Sequence, residues 1–299
     1  MKSKRSLADV LGIVLGVAAI ALVVAALVYL LGARPFHRLR GPWFQPGGSW
    51  SGQSGAWQSE EATEEVSQRV QRLEVENVSG PVRVEGWDGD TIQVHYVKQA
   101  RGSQALEDFR VEIRTEGDTL KVRPVYASQA GFRFGPVSFD LKVPSTLRQL
   151  YVHNVSGRIE VGDLPGDIAQ ELEAVSGSIS SERSGNLRIK SVSGAIDFSF
   201  AGDKLSAKSI SGAINGKIRS LSRGGSVEAE TVSGSLDLAA FAGLDAELRL
   251  SSVSGSISCG FPLQITEQKR NRLEGRIGTG AARLAAKSVS GSITLSALE

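Results

Sequence analysis

The sequence has little cysteine, little aromatic side chain and no excess of charge of either sign. Cys259 is its one cysteine, which excludes an intrachain disulfide and a cysteine-based metal cluster. Lysine and arginine number 34 against 32 aspartate and glutamate residues, so the charge gives no indication of a nucleic-acid partner. Aromatic residues make up 6% of the chain, whereas glycine numbers 34. This balance favours many thin, repeated layers over one core of large side chains.

The motifs of common catalytic and cofactor sites are also missing. The sequence contains no Gly-x-Ser-x-Gly elbow, phosphate-binding loop or His-Glu-x-x-His motif. The histidines are His37, His95 and His153, and they share no metal-ligand spacing with one another or with Cys259. His95 is out of phase with its apolar neighbours, which predicts a solvent-facing side chain, and Cys259 is expected to be a buried small hydrophobe. We therefore expect no catalytic residue, no metal site and no cofactor.

Two pairs of aspartates come nearest to a metal or catalytic site. Asp88 and Asp90 flank a glycine, a pattern far commoner in turns than in calcium sites, and the Gly-Gly-x-Gly-x-Asp calcium repeat is absent. Asp197 and Asp237 occupy equivalent positions in the repeat described below, but a whole coil separates them if the coils stack in chain order. Neither pair predicts a site.

One long apolar run near the N-terminus predicts a membrane anchor. Residues 10–31, VLGIVLGVAAIALVVAALVYLL, carry no charge, and as a helix they would span about 33 Å, enough for a hydrocarbon layer of roughly 30 Å. A cleaved signal peptide would have a shorter run, so we favour an uncleaved single-pass helix after a short tail at 1–9. Three basic residues lie on each side of the run, so charge alone does not fix the orientation.

The segment that follows, residues 32–70, reads as a flexible linker. It is rich in Gly, Ser, Gln and Glu beyond residue 40 and shows no sustained apolar period. Trp43, Trp50 and Trp57 are unusual in such a tether. Trp43 is close enough to the span to rest at the lipid headgroups, and the role of the other two is left open.

An internal repeat organises the rest of the chain. The tripeptide Val-Ser-Gly, once as Ile-Ser-Gly, occurs eight times and begins at Val78, Val155, Val175, Val192, Ile210, Val232, Val253 and Val289. Apolar residues alternate at period two on both sides of it, as in strands. Apolar residues stand at the motif Val and three positions before it. Because this spacing is odd, a straight strand would point the two side chains to opposite faces, so we expect a bend between them that turns both toward one core.

The glycine of the motif is expected to lie where coils meet closely at a corner. These corner glycines are Gly80, Gly157, Gly177, Gly194, Gly212, Gly234, Gly255 and Gly291. A unit of about 20 residues buries too little apolar surface to fold alone, so successive units must stack. The prediction is an all-β fold: a single-stranded parallel β-helix, or solenoid, of 17–22-residue coils over residues 71–299, irregular in 71–150 and regular in 151–299.

Two irregular places in this solenoid have predictions of their own. Glu116-Gly117-Asp118 resembles a hairpin turn between two alternating runs. The last interval between motifs is longer than the others, and we expect residues 261–280 to form a protruding hairpin or an atypical coil.

A serine follows every motif valine. In stacked coils these serines would form a hydroxyl-rich strip able to bind a regular polymer such as a glycan, although close-packed corners also require small residues. The strip comprises Ser156, Ser176, Ser193, Ser211, Ser233, Ser254 and Ser290.

Several segments together resemble the DUF4097 family of bacterial β-strand repeat proteins, which are described as candidate adhesins. The segments are 73–80 (LEVENVSG), 86–90 (GWDGD), 141–144 (LKVP), 261–262 (FP), 276–278 (RIG) and 288–293 (SVSGSI). The resemblance covers roughly residues 70–299. It implies an extracytoplasmic β-solenoid of the bacterial envelope and supplies no catalytic residues.

Three functions remain open at this point. The first is a non-enzymatic membrane-anchored envelope protein whose solenoid binds an envelope protein, a glycan or a second copy of itself. The second is a membrane-linked regulatory or sensing module that acts through a partner protein. The third and weakest is a polysaccharide-active β-helix enzyme, which would need paired carboxylates in one groove.

Overall fold

The computed structural model describes residues 56–67, 69–126, 134–164 and 167–298. The predicted span at 10–31, together with His37, Trp43 and Trp50, lies outside these ranges. Within them, none of the helical residues form a segment long and apolar enough to cross a membrane. The described chain consists almost entirely of strands, which confirms the all-β prediction.

The described residues contain twenty strands and one short helix. In chain order these are β1 (Trp57–Val66), β2 (Arg72–Ser79), β3 (Val82–Gly86), β4 (Ile92–Arg101), α1 (Ser103–Glu107), β5 (Phe109–Glu116), β6 (Thr119–Tyr126), β7 (Phe134–Val143), β8 (Gln149–Ser156), β9 (Ile159–Val161), β10 (Ala169–Ser176), β11 (Ile179–Ser193), β12 (Ile196–Ser211), β13 (Ile214–Ser233), β14 (Leu236–Ala240), β15 (Ala246–Ser254), β16 (Ile257–Cys259), β17 (Gln264–Lys269), β18 (Arg272–Ile277), β19 (Ala282–Ser290) and β20 (Ile293–Ala297).

Each coil has two faces that meet at the Val-Ser-Gly motif. Strand segments that lead into the motif pair side by side and form face A, and segments that follow it form face B. Strands β11, β12 and β13 run from one motif to the next and therefore contribute to both faces. Bulges in their pairing mark a second corner between the faces, for example between Ser181 and Ser184.

The regular coils pair in parallel and in register. In face A, β2 pairs with β8, β8 with β10, and the pairing continues through the later parts of β11, β12 and β13. In face B, β3 pairs with β9, followed by the first parts of β11, β12 and β13 and then β14. The apolar side chains that point inward from both faces belong to one core.

The coils do not stack in chain order at the C-terminal end, so that expectation is wrong. Strand β19 pairs with β13 on one side and with β15 on the other, and β20 lies between β14 and β16. The last coil of the sequence therefore lies, in space, between the coil of β13 and the coil of β15. The hairpin β17–β18 makes this possible, because it pairs antiparallel with β15 and occupies the outer edge of that strand.

The prediction that the motif valine faces the core is also wrong. Each face A strand stays straight up to the motif serine, so alternation continues and buries the residue before the valine. Leu187, Ile189 and Ser191 are buried whereas Val192 is only partly covered, and Val253 is 49% exposed. The chain turns at the glycine rather than before the valine.

Antiparallel hairpins extend face A at both ends of the stack. Strands β5 and β6 form a hairpin in which Glu116 pairs with Thr119, as predicted, and β6 extends face A beyond β2. At the other end, β17 and β18 provide the hairpin predicted within residues 261–280.

The linker prediction is wrong over residues 57–66, which form β1. This strand pairs antiparallel with β4 along its whole length. Ala62 and Val66 pack against the core, and Glu60 lies 3.0 Å from the buried ammonium of Lys98. These contacts hold the segment in a β-strand, which its polar composition did not indicate.

Candidate functional site

The corner glycines form a column in which the backbones of neighbouring coils touch. Seven of the eight have φ between 111° and 157°, a range that residues with a side chain rarely adopt. A Cβ atom built on Gly177 would lie 2.1 Å from the carbonyl oxygen of Gly157, and one built on Gly194 would lie equally close to that of Gly177. The motif requires glycine for steric reasons, so this column is a structural feature.

A column of buried polar side chains lies directly behind this corner. The nitrogen Nδ2 of Asn154 donates a hydrogen bond of 2.9 Å to the carbonyl oxygen of Gly80, and Oγ of Ser252 donates one of 3.0 Å to that of Gly291. The hydroxyl of Ser191 is buried and has no hydrogen-bond partner among the described residues. Where these bonds form, they tie a coil to the glycine corner of its neighbour.

The serine strip lies in one exposed column on the outer edge of this corner. Its order in space follows the stacking, so Ser290 lies between Ser233 and Ser254. The side chains face solvent, and the described structure gives no contact that assigns them a ligand. A binding role for the strip stays a prediction.

A ladder of ion pairs runs across the outer surface of face A, two residues before the motif valines. Glu173 contacts Lys190 and lies 3.1 Å from Nδ1 of His153, and Glu230 lies 2.8 Å from Lys208 and 3.2 Å from Lys287. The Glu173 side chain is only 11% exposed. Each of the two glutamates thus joins cations on both neighbouring strands.

These contacts shift the pKa values of the ladder. Burial opposes ionisation of Glu173, but the hydrogen bonds and charges of His153 and Lys190 outweigh it and lower the pKa of Glu173 to about 2. Burial likewise works against the protonated form of His153, yet the adjacent Glu173 carboxylate raises the pKa of this histidine above its usual value. The ladder links neighbouring strands of face A through their side chains.

A long concave surface lies on the other side of the molecule, along face B and the second corner. Two adjoining hollows of about 770 and 780 Å³ share Asp163 and Arg183, and we refer to them together as the long groove. The groove crosses the coils from β3 to β14, which is five interstrand steps or about 24 Å. Its polar and aromatic lining includes Trp87, Asp88, Asp163, Asp167, Glu182, Arg183, Asp197, Ser199, Asn215, Lys217, Arg219 and Asp237.

The lining of the long groove is polar and mixed in charge. It holds six carboxylates against three cations, and the charged groups are spread along its length. Nδ2 of Asn215 donates a hydrogen bond of 2.9 Å to Asp197, and Nε of Arg219 donates one of 2.7 Å to Oγ of Ser199. Asp197 and Asp237 stand on either side of Asn215, so their backbones are two strand spacings, or about 10 Å, apart.

Two residues of the groove are held in specific positions. Trp87 follows β3, its Nε1 donates a 2.9 Å hydrogen bond to the carbonyl of Thr91, and its ring packs on Gly89, where a Cβ would lie 2.2 Å away. Arg183 has φ of 44°, which is unfavourable for a residue with a side chain, and its guanidinium lies 3.2 Å from Asp163. Strained residues of this kind are often found where a structure binds a ligand.

The remaining sequence candidates do not form a site. His95 projects from the outer side of β4, as its phase predicts, and it is half-buried because Thr63 of β1 lies 3.0 Å from its Nδ1 and Glu61 lies 3.7 Å from its Nε2. Cys259 is half-buried rather than buried, because β16 is the outermost strand of face B. Among the described residues no group of three or more His, Cys, Asp or Glu side chains is placed to hold a metal ion.

The repeat spacing predicted that Asp197 and Asp237 share one column, but it gave no indication of the groove around them. Arg183, Lys217 and Arg219 were not singled out, although Lys217 and Arg219 stand two and four residues after Asn215 in the same column-forming strand and share its outward phase. This outward phase is the sequence feature that could have identified Lys217 and Arg219.

The match to a known family lies in the coils. A family model described as Toastrack DUF4097 matches residues 132–296, more than half of the sequence. The chain belongs to the Toastrack DUF4097 family. No curated protein matches it.

Solved structures with similar folds include proteins described as adhesion or lipid-binding candidates. A candidate adhesin from Parabacteroides distasonis is 14% identical, with 82% of this chain and 98% of that chain covered and a TM-score of 0.41. A candidate cell adhesion protein from Clostridium sporogenes is 8% identical, with 81% and 100% covered and a TM-score of 0.34. A candidate lipid binding protein from Parabacteroides distasonis is 12% identical, with 80% and 97% covered and a TM-score of 0.28. Likenesses this distant carry no argument about function.

Proposed function

We propose that this protein is a non-enzymatic envelope protein, anchored in the membrane by residues 10–31, whose Toastrack solenoid binds a ligand outside the cytoplasm. The anchor is supported by the 22 uncharged residues of that run. The extracytoplasmic side is supported by the family resemblance, since the charges flanking the run favour neither orientation.

The long groove is the observation that carries the binding function. It is a concave surface some 24 Å long that joins two hollows of about 770 and 780 Å³. Asp197, Lys217 and Asp237 project into it from β-strands whose backbones are fixed by parallel pairing on both sides. Side chains on such a scaffold are held in a fixed spacing, which suits recognition of an extended ligand.

A binding role fits the groove better than catalysis. Asp197 and Asp237 are both exposed, so neither has the desolvated surroundings that make a carboxyl a general acid. Asn215 stands between them and is hydrogen-bonded to Asp197. This arrangement offers hydrogen-bonding groups to a ligand, and it lacks an acid and base in distinct environments.

The side of the membrane is tested by protease accessibility of the full-length protein in intact and lysed cells. We expect the solenoid to be cleaved in cells whose outer layers have been permeabilised while the cytoplasmic membrane is intact. Protection until the cytoplasmic membrane is lysed would contradict the proposal.

The binding role is tested by pull-down of the full-length protein from detergent-solubilised membranes with envelope material present. Retention of glycan or outer envelope components that is lost in the double variant D197N/D237N supports the proposal. Recovery of one stoichiometric inner-membrane protein, unaffected by those substitutions, would contradict it and favour the regulatory or sensing alternative.

A further inference from the structure

The long groove also carries information about the chemistry of its ligand. It runs across the strands instead of along them, so the side chains that line it repeat at the strand spacing of about 4.8 Å. A ligand that contacts successive coils must therefore be extended and must present similar groups at regular intervals. This excludes a compact small molecule as the ligand that fills the whole groove.

A peptide does not fit these groups well. Peptides that bind to β-structures usually add a strand to a free edge and form main-chain hydrogen bonds there. The strands under the groove, from β9 to β13, are paired on both sides and have no free edge. The groove thus offers mainly side chains, and most of the polar ones are carboxylates, hydroxyls and amides.

The charge of the groove decides between classes of polymer. Six carboxylates against three cations make it net negative, so a polyanion such as a nucleic acid or an acidic polysaccharide would be repelled. Carboxylates, Asn215 and the Arg183 guanidinium are all able to bond to the hydroxyl groups of a neutral chain. A long polar lining of this kind also differs from the largely apolar pockets that take small molecules.

Trp87 adds an apolar platform at one end of the groove. Its ring is held by the bond to Thr91 and by packing on Gly89, so its orientation is fixed before any ligand binds. A fixed aromatic ring gives a flat apolar surface at small entropic cost. The face of a sugar ring, which carries C–H groups above its hydroxyl rim, is complementary to that surface.

We propose that the long groove binds a linear, uncharged polysaccharide, with Trp87 stacking on one sugar ring and Asp197, Asn215, Asp237 and Arg183 bonding to hydroxyl groups of rings further along. This inference rests on the proposed binding function and names its ligand class. The polymer lies across the coils, and no bond in it is broken.

The test measures binding of defined oligosaccharides to the full-length protein in lipid nanodiscs by isothermal titration calorimetry. The probes are neutral cello- and chito-oligosaccharides of two, four and six units, with oligogalacturonate of six units as the anionic probe. We expect affinity for at least one neutral series to rise with chain length and oligogalacturonate not to bind. Binding of oligogalacturonate, or the same affinity at every length, would overturn the proposal.

Three groove variants and one control locate the site. We expect W87A and D197N/D237N each to weaken binding by about tenfold or more, a loss of about 1.4 kcal/mol. R183G is the sharper variant: glycine accepts the φ of 44° without strain, so the fold is kept while the guanidinium is lost. The control D118N changes an exposed aspartate in the β5–β6 turn, far from the groove in the topology, and should bind as the wild type does.

The outcomes separate this inference from the function on which it rests. Oligosaccharide binding that survives all three groove variants would overturn the groove as the site while leaving the binding function intact. Retention of envelope material without binding of any neutral oligosaccharide, or a preference for an extended peptide over them, would overturn the ligand class. Shortening of the oligosaccharides during incubation would overturn both proposals, because it would show an enzyme.

Discussion

The two corners of the coil differ in how much the fold constrains them. At the first, the Val-Ser-Gly corner, backbones of adjacent coils touch and Gly194 leaves no room for a Cβ beside Gly177. At the second, pairing is interrupted by bulges, the number of residues varies, and Arg183 adopts an unusual φ next to the long groove. The first corner is fixed by backbone packing in coil after coil. At the second, such close packing is local, as at Gly202 against Gly185, and the number of residues varies, as is common where binding surfaces arise.

The largest expected effect comes from filling the first corner. G194A places a Cβ about 2 Å from the carbonyl of Gly177 at φ of 139°, so we expect a loss of about 3 kcal/mol of unfolding free energy. Thermal unfolding of the full-length protein followed by circular dichroism measures this.

A matched control lies near the second corner. Gly162 has only ordinary contacts, the nearest at 3.6 Å, so G162A should change stability by about 1 kcal/mol or less. Equal losses in G194A and G162A would contradict the steric role of glycine at the first corner.

The next effect concerns the ion-pair ladder that leads into the first corner. E173Q removes the carboxylate shared by His153 and Lys190 and leaves two half-buried cations without it, which should cost about 2 kcal/mol. The exposed Glu107 in α1 provides the control E107Q, with little expected change.

The pH dependence of this cost follows from the pKa shifts. The lowered pKa of Glu173 stabilises the fold above pH 4.5, its ordinary value, and this contribution is lost as pH falls toward about 2. The raised pKa of His153 stabilises the fold below pH 6.5 and is lost as pH rises through the folded-state value. The melting-temperature difference between wild type and E173Q should therefore be largest between pH 4.5 and pH 6.5. A difference that grows above pH 8 would count against the ladder.

A smaller effect separates two residues of the buried polar column. S252A removes the hydrogen bond to the carbonyl of Gly291 and should cost about 1 kcal/mol. S191A removes a buried hydroxyl without a partner among the described residues, so the change should be near zero or slightly stabilising. Chemical or thermal unfolding of the two variants side by side measures the difference, and the reverse order would show that the hydrogen bond does not tie the coils together.

The smallest stability effect is expected at the second corner. R183G relieves about 1 kcal/mol of backbone strain, loses an exposed ion pair to Asp163 and makes the unfolded chain more flexible, so these terms nearly cancel. A melting temperature within a few degrees of wild type is the expected result. A large loss would mean that this corner is as constrained as the first.

The sequence contained enough to predict coils but not their order. Alternation around Leu187, Ile189 and Ile196 identified strands, and the spacing of the glycines identified the corner. The position of the last coil was not predictable, because the coils share one repeat pattern. The β17–β18 hairpin occupies the edge of β15 that the next coil would take in chain order. The outward position of the motif valine was not predicted. A straight strand buries the serine or asparagine before the valine, whereas a bent strand buries the valine, and a buried polar residue was not expected.

The groove was harder to predict than the coils. It is formed where coils of unequal length leave space at the second corner, so it depends on which strands become neighbours. Trp87 and Asp237 are 150 residues apart in the sequence and come to line one surface only through the stack.

Disulfide cross-linking tests the stacking most directly. In a C259A background, cysteines replacing Ser233, Ser254 and Ser290 report which coils are neighbours, since adjacent strands lie about 4.8 Å apart and next-nearest strands about 9.6 Å. The account predicts that S290C forms a disulfide with S233C in one double variant and with S254C in another, whereas S233C and S254C do not bond to each other. A disulfide between S233C and S254C, with none to S290C, would show that the coils stack in chain order and contradict the arrangement described.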